Sequence, residues 1–508
     1  MLQVIMKGIR KIYPDGVYAL KGVDFDLRKQ EIHGLLGENG AGKSTLMRIL
    51  YGQIQPTGGE ILVEGKPVSF ESPRDALRHG IGMVFQHFTL VPEFTALENI
   101  TLGMEPGEKG ILDLDVARGR ILKLMEESGL HVDLDAPIRD LPVGTRQRVE
   151  ILKLLYRNVN VLILDEPTSV LTPLEVRDLF KTLDRLRSQG KSIVFVTHKL
   201  KEAKSICDRI TVLRGGVRVS TVEASKVGIP DLAKMMVGRE VFLKFEKKPV
   251  TVGGEILKVL DLHVLNDMGL PAVKGVSFTV KGGEIFGIAG VQGNGQSELA
   301  EALVGLRRVE KGRVIIDGKD MTNKPSKLVY QTGVSYIPEN RVERGLIGEL
   351  SVMENLILNR FYDKPFSDGL RLNSQTIRSY ALDLIRKFNI MTPSEKVMVK
   401  YLSGGNQQRV IIARELSRNP KLIIAAEPTM GLDVAATEFV RSSLLRMRDE
   451  GKAVLLISSD LDEVLSLSDR LAVMYEGRFM GVGRPDKYSI EEIGMMMGGV
   501  PENELRKS

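Results

Sequence analysis

The chain has a single cysteine, Cys207, among 508 residues. One thiol cannot close an internal disulfide, and it excludes a zinc site built from cysteines. It reads as a small buried residue, and a reducing, cytosolic compartment fits it. Long apolar runs are missing as well. Stretches such as VLIL (161–164) and AVLLI (453–457) are the longest, whereas a membrane-spanning helix needs roughly twenty apolar residues. The N-terminus MLQVIMKGIRKIYPDG lacks the charged-then-apolar pattern of a signal peptide. Any membrane role is therefore that of a peripheral partner. There is also no block of like charges. The net charge of +6 is spread along the chain, which argues against nucleic acid as a partner and suits an anionic surface or a polyphosphate. What remains is the composition of an ordinary soluble globular protein, long enough for two to four domains.

What is present is a repeat. LLGENGAGKSTL (35–46) answers to IAGVQGNGQSEL (288–299), and LPVGTRQRVEI (141–151) to LSGGNQQRVII (402–412). VLILDEPTSVLT (161–172) answers to LIIAAEPTMGLD (422–433), and IVFVTHKLKEA (193–203) to VLLISSDLDEV (454–464). Four matches in one order, at nearly constant separation, mark a tandem duplication. Both copies end alike, at MMVG (235–238) and MMMGG (495–499), and the charged segment REVFLKFEKKP (239–249) separates them. The expected domains are 1–240 and 253–499. Short apolar runs (EIHGLLG, VLILDEP, SIVFVTH) alternate with helical patterns, which predicts a parallel sheet flanked by helices in each copy. A helical subdomain is expected between Gln86 and Leu141, and again over roughly 346–402. PENELRKS at the C-terminus reads as a solvated tail.

In the first copy, GENGAGKS (37–44) satisfies the phosphate-loop pattern. Gly37, Glu38, Asn39, Gly40, Ala41, Gly42, Lys43, Ser44 and Thr45 would wrap the phosphates with backbone N–H groups, helped by the following helix N-terminus. Lys43 would reach the terminal phosphates and the Ser44 hydroxyl would bind Mg²⁺. VLILDE ends a buried strand in two carboxylates, which are costly to desolvate without a cation. Asp165 is placed to hold the metal and Glu166 to orient or deprotonate a water, with structural ion pairing as the alternative. Gln86 can contact both metal and water. His198 closes another apolar strand and can reach the γ-phosphate; alone it would read as a core residue. Tyr13 is either an adenine platform or core.

Together these motifs resemble the ATP-binding-cassette (ABC) family over nearly the whole chain: LSGGNQQ is its signature and DEPTSVLT its Walker B and D-loop region. The resemblance implies an α/β fold of two tandem P-loop NTPase (ABC cassette) modules, each a parallel-sheet core with an inserted helical subdomain. The tandem form is similar to the fused ATP-binding subunits of importers for sugars and nucleosides, and LPVGTRQRVEILKLLYR and GVQGNGQSEL are similar to the nucleoside branch. That implies ATP with Mg²⁺, two transmembrane permease subunits, an extracytoplasmic substrate-binding protein, and a peripheral place on the cytoplasmic face of the membrane. A ribose- or galactose-type sugar importer is the alternative. A soluble translation-associated ABC ATPase is more distant, since such proteins keep both sites and carry a long charged linker.

The defects sort between the copies. In the second, Gln296 replaces the P-loop lysine, Ala426 the Walker B aspartate and Ser459 the histidine, while Glu339 stands where Gln86 stands. Gly290, Gly293, Asn294, Gly295 and Ser297 keep the outline of the loop. The first copy has Pro142 and Val143 in place of the signature's Ser-Gly, and Thr172 in place of the D-loop aspartate. ABC modules pair head to tail, so the resemblance implies one complete site, uniting Lys43, Ser44, Gln86, Asp165, Glu166 and His198 with Ser403, Gly404, Gly405 and Asp433. The other site is degenerate.

Overall fold

The computed structural model describes every residue except 15, 87, 109–110, 170, 239, 241–246 and 506–508. The boundary segment 239–249 thus lies largely outside the described residues. The chain divides into two compact units, Met1–Val241 and Phe242–Ser508.

In the first unit a six-stranded sheet runs in the order Val217–Glu223, Arg209–Arg214, Ile32–Gly37, Ser192–Thr197, Val161–Asp165, Ile81–Val84. All neighbours pair in parallel except the edge strand Val217–Glu223. Strands covered on both faces must be apolar throughout, and Val161–Asp165 and Ser192–Thr197 are buried at every position. Parallel register brings the ends of the strands, Gly37, Thr197, Asp165 and Val84, to one edge of the sheet, where ligands of open α/β sheets bind. The second unit repeats the order with Arg478–Gly483, Arg470–Tyr475, Ile285–Ala289, Ala453–Ser458, Leu422–Ala426 and Val334–Ile337.

Each unit carries one layer that the apolar runs do not announce. Tyr18–Arg28, Leu2–Ile12, Gly58–Val63 and Lys66–Val68 form an antiparallel sheet, as do Pro271–Lys281, Glu255–Leu265, Val309–Ile316 and Lys319–Asp320. These strands alternate buried and exposed positions and carry register shifts. Val4, Met6, Ile9, Val23 and Phe25 turn inward and pack on Leu46, Met47 and Leu50 of the helix Lys43–Leu50. The antiparallel layer therefore clamps the helix that carries the P-loop.

Within the segments expected to be helical lie Ala96–Thr101 and Leu114–Ser128 in the first unit, and Val352–Leu356 and Ser374–Lys387 in the second. Val143–Tyr156 and Gly404–Leu416 follow just beyond those bounds and pack against them. In each unit, one fully buried asparagine fixes the entry loop. Asn99 Nδ2 donates to the carbonyls of Val91, Phe94 and Thr95, and its Oδ1 accepts from Val91 N–H. Asn355 repeats this with Ile347, Leu350 and Ser351. Cys207 is buried, and burial raises its thiol pKa. Of the C-terminal stretch expected as a solvated tail, residues 506–508 lie outside the described residues, and the part before them is only partly solvated. Glu502–Leu505 form a helical turn, with Glu502 bound by Tyr488 (2.9 Å) and Lys487 (2.5 Å) and Leu505 resting on the core around Tyr488 and Met496. Glu502 finds its partners at Lys487 and Tyr488, fifteen and fourteen residues back, which the local sequence alone does not reveal. Among the described residues, no helix is long and apolar enough to cross a membrane.

Candidate functional site

The first P-loop leaves the strand Ile32–Gly37 and enters the helix Lys43–Leu50 through Gly42, whose φ is 100°. A Cβ on Gly42 would lie 2.8 Å from the Ala19 carbonyl, and one on Gly37 2.5 Å from that of Leu213, so the loop packs too closely for any side chain at either end. The buried Lys43 ammonium curls back to donate to the carbonyls of Gly37 (2.7 Å) and Glu38 (3.1 Å). Burial lowers its pKa, and Glu166, Asp165 and Glu38 oppose that shift.

Around it the strand ends bring the expected residues together. Ser44 Oγ lies 3.4 Å from Asp165 Oδ1. Burial raises the pKa of Asp165; the Ser44 hydroxyl opposes this and the charge of Glu166 adds to it. Such a carboxyl gains from a cation. Glu166 follows directly with φ 49°, a left-handed backbone that turns its side chain off the sheet edge. Its Oε1 meets His198 Nδ1 at 2.9 Å, and its Oε2 accepts from Gln86 Nε2 at 3.3 Å. Burial pushes the Glu166 pKa up, yet the His198 hydrogen bond, with the charges of His198, Lys43 and Lys199, outweighs it and holds the carboxyl below its ordinary value. Tyr13 OH lies 3.3 Å from Thr45 Oγ1, beside the loop.

The second P-loop has the same backbone and a different interior. Gly293 and Gly295 keep positive φ (87° and 99°), and Gly290 abuts the Met474 carbonyl. Gln296 is buried. Its Nε2 donates to Val291 O at 2.9 Å, as Lys43 does to Glu38 O, while its Oε1 accepts the N–H of Asn294 at 3.0 Å. The carboxamide thus fills the loop with one donor and one acceptor, and consumes an N–H that a phosphate would use. Ser297 Oγ donates to Glu339 at 2.5 Å, and Gln292 donates to the other oxygen of that carboxylate at 3.1 Å. Glu427 repeats the left-handed turn of Glu166, with φ 43°. Ala426 offers no carboxylate beside it, and Ser459 replaces the histidine, donating through N–H (2.7 Å) and Oγ (3.1 Å). Burial dominates here: the Glu427 pKa is pushed up to about 8, so the carboxyl is largely protonated at neutral pH.

The signature residues gather elsewhere in the second unit. Ser403 is the N-cap of the helix Gly404–Leu416, and its Oγ accepts from Asn406. Asp433 caps the helix Val434–Asp449 through Ala436 N–H (2.6 Å), with Oδ2 turned toward Gly405. In the first unit, Pro142 occupies the N-cap of Val143–Tyr156 and Val143 is exposed. Thr172 retains the capping duty of the aspartate in a reciprocal box with Glu175. Motif reading misses a pair of glutamines, Gln147 and Gln408. They tie the signature helices to the carbonyls of Pro167 (2.6 Å) and Pro428 (2.8 Å), just beyond the strand-end carboxylates. Their identical place in the two repeats is the signal that marks them.

A fold of two P-loop cores, each with a strand-end glutamate and a helical layer, one of them opened by a glycine-rich turn, defines a tandem nucleotide-binding cassette protein. A family model described as "ABC transporter" matches residues 20–169 and 273–430. The chain belongs to that family, whose ATP-binding subunits are ATPases. It is similar to the nucleoside import ATP-binding protein NupA of Lactococcus lactis subsp. cremoris, at 47% identity over 95% of each chain. It is also similar to the guanosine import ATP-binding protein NupO of Bacillus subtilis, at 45% over 99% of this chain and 98% of that protein. The glucose import ATP-binding protein TsgD13 of Haloferax volcanii is 44% identical, over 97% of this chain and 95% of its own length.

Proposed function

We propose that this chain is the ATP-hydrolysing, energy-coupling subunit of a nucleoside importer, with one active and one degenerate nucleotide site. One observation carries the asymmetry: the two strand-end glutamates sit in the same backbone turn in different surroundings, Glu166 between Asp165 and His198, and Glu427 between Ala426 and Ser459. The His198 hydrogen bond holds the Glu166 pKa below its ordinary value, and burial pushes that of Glu427 up to about 8. Glu166 is the one suited to accept a proton from water.

At the first site the residues fit Mg²⁺. The Ser44 hydroxyl and the Asp165 carboxyl, raised in pKa by burial, would hold it, with Gln86 at its edge. Such an ion keeps few protein ligands and completes its shell with phosphate and water; when bound, it neutralises charge on the terminal phosphates. Lys43 exchanges its two carbonyl partners for phosphate oxygens. Glu166 orients and deprotonates the attacking water, and His198 fixes the Glu166 carboxylate and faces the γ-phosphate. Tyr13 flanks the loop where a base would lie. Ser403, Gly404, Gly405 and Asp433 of the second module close over this nucleotide, as head-to-tail pairing requires. ATP binding then draws the modules together and hydrolysis releases them. The helical layers near 86–100 and 339–355 pass the motion to two permease subunits, which take substrate from an extracytoplasmic binding protein. The chain itself stays peripheral on the cytoplasmic face. The nucleoside assignment is supported by the two relatives named for nucleoside and guanosine import, and the glucose-import relative keeps a sugar importer as the second reading.

The test is the ATPase rate of the complex purified from native membranes, recorded with nucleosides, pentoses and hexoses. Nucleoside stimulation is expected. Stimulation by sugars alone overturns the substrate, and co-purification with ribosomes in place of membrane proteins overturns transport. Lys43→Ala should abolish hydrolysis, since one lost transition-state donor costs ~10²–10³ in rate, while Gln296→Ala leaves it within about twofold. Equal losses refute the asymmetry.

A further inference from the structure

One arginine beside the signature has no role in any motif described so far. Arg341 opens the turn Arg341–Gly345, which Asn340 caps by accepting from the N–H groups of Val342 and Glu343. Its Nη1 donates to the carbonyl of Met430 at 2.9 Å. Its Nη2 lies 2.9 Å from where a Cβ on Gly404 would stand, and 3.7 Å from where one on Gly431 would. The guanidinium therefore spans two stretches far apart in sequence: the start of the signature helix and the loop leading to Asp433. Met430 is held from its other side by Gln292, which donates to its sulfur at 3.2 Å.

The electrostatics of this place are unusual. Nε of Arg341 is buried with no hydrogen-bond partner, and burial alone lowers its pKa. Among the described residues, none of the ion pairs includes it. It also sits at the N-terminus of the helix Gly404–Leu416, the positive end of that helix dipole, where a cation is disfavoured. A charge held against that field without a counter-ion is suited to the approach of an anion. The repeat supplies an independent observation. Glu339 stands where Gln86 stands, and two residues on, Phe88 occupies the place of Arg341 in the module whose signature is altered. The arginine accompanies only the intact signature.

We propose that Arg341 is a positioning residue for ATP hydrolysis, locking the signature turn at Gly404 and the loop at Met430–Asp433 into one rigid element that closes on the nucleotide of the first module. This rests on the head-to-tail reading above. Its guanidinium bonds the Met430 carbonyl through Nη1 while Nη2 packs against Gly404, a combination that a neutral aliphatic side chain of equal length cannot reproduce.

The test uses the complete transporter complex. Arg341→Met should lower kcat by about 10- to 100-fold, the range of one lost charge-assisted contact, with the KM for ATP changed by less than about threefold. Arg341→Lys, which keeps the charge and one donor toward Met430, should recover at least about a third of the wild-type rate. Assembly with the permeases and the thermal midpoint should match wild type in both. The proposal is overturned if Arg341→Met turns over normally, or if its loss tracks unfolding and lysine gives no rescue. Gly404→Val separates the two levels. If it abolishes hydrolysis while Arg341→Met does not, only the arginine assignment falls. If Gly404→Val is also silent while Lys43→Ala is dead, the head-to-tail reading itself has failed.

Discussion

Glu427→Gln isolates the charge state of the second site. In the folded chain the Glu427 carboxyl has a pKa of about 8 against an ordinary 4.5, because burial outweighs the two hydrogen bonds from Ser459. Between those values the folded state holds a proton that the unfolded chain has released, so stability must fall as pH rises through this window. The contribution is fully present below pH 4.5 and gone above about pH 8. At 1.36 kcal/mol per unit the window is worth at most about 5 kcal/mol, and relaxation around the newly charged group reduces that to about 2–4 kcal/mol. Glutamine mimics the protonated form at every pH. Chemical unfolding of wild type and Glu427→Gln, with hydrogen exchange read on the strands Leu422–Ala426 and Ala453–Ser458, should give equal stabilities at about pH 4. By pH 9 the mutant should be more stable by the amount above, with ATP hydrolysis unchanged. Parallel pH profiles would refute the reasoning, because they would mean that Glu427 is already ionised and the two sites differ for another reason.

Three further outcomes complete the set begun with Lys43, Gln296 and Arg341. Glu166→Gln should retain ATP binding and lose about 10²–10³ in kcat. His198→Ala, by removing the hydrogen bond that holds Glu166 down, should move the acidic limb of the pH–rate profile to higher pH; an unmoved limb would take the base assignment away from Glu166. Asn99→Ala strips the buried loop of the one NH₂ group that serves three carbonyls and of one acceptor and should destabilise the first module by about 3 kcal/mol, seen as a lowered unfolding midpoint, whereas a loss below about 1 kcal/mol would mean that water replaces the side chain.

The legible parts of the sequence were those where one physical demand leaves one pattern. Val161–Leu164 and Ile193–Val196 are buried on both faces and can only be apolar, so the parallel core could be read directly. The strands Leu2–Ile12 and Tyr18–Arg28 were not read, because bulges at Met6–Ile9 and Lys11–Ile12 break their alternation. Within the sites, residue types at fixed spacing identified Lys43, Asp165 and Glu166. The charge state of Glu427 was not legible, since it depends on what packs around a carboxyl and not on the letter itself. Asn99, Asn355 and Arg341 escaped for a related reason: each acts through backbone carbonyls, which every residue possesses and no motif records.

The carboxamide of Gln296 has a consequence for how the halves of the chain respond to the cell. A P-loop is a ring of inward-facing N–H groups that is complete only around an anion. The second loop carries a substitute on its own chain, bonded to Val291 and Asn294, so its fold is finished without a visitor. The first loop has only the back-folded Lys43, which must let go when phosphate arrives. Ligand stabilisation grows with the logarithm of ligand concentration. The first loop must break the two Lys43 bonds to gain it, whereas the bonds of Gln296 complete the second loop at any concentration.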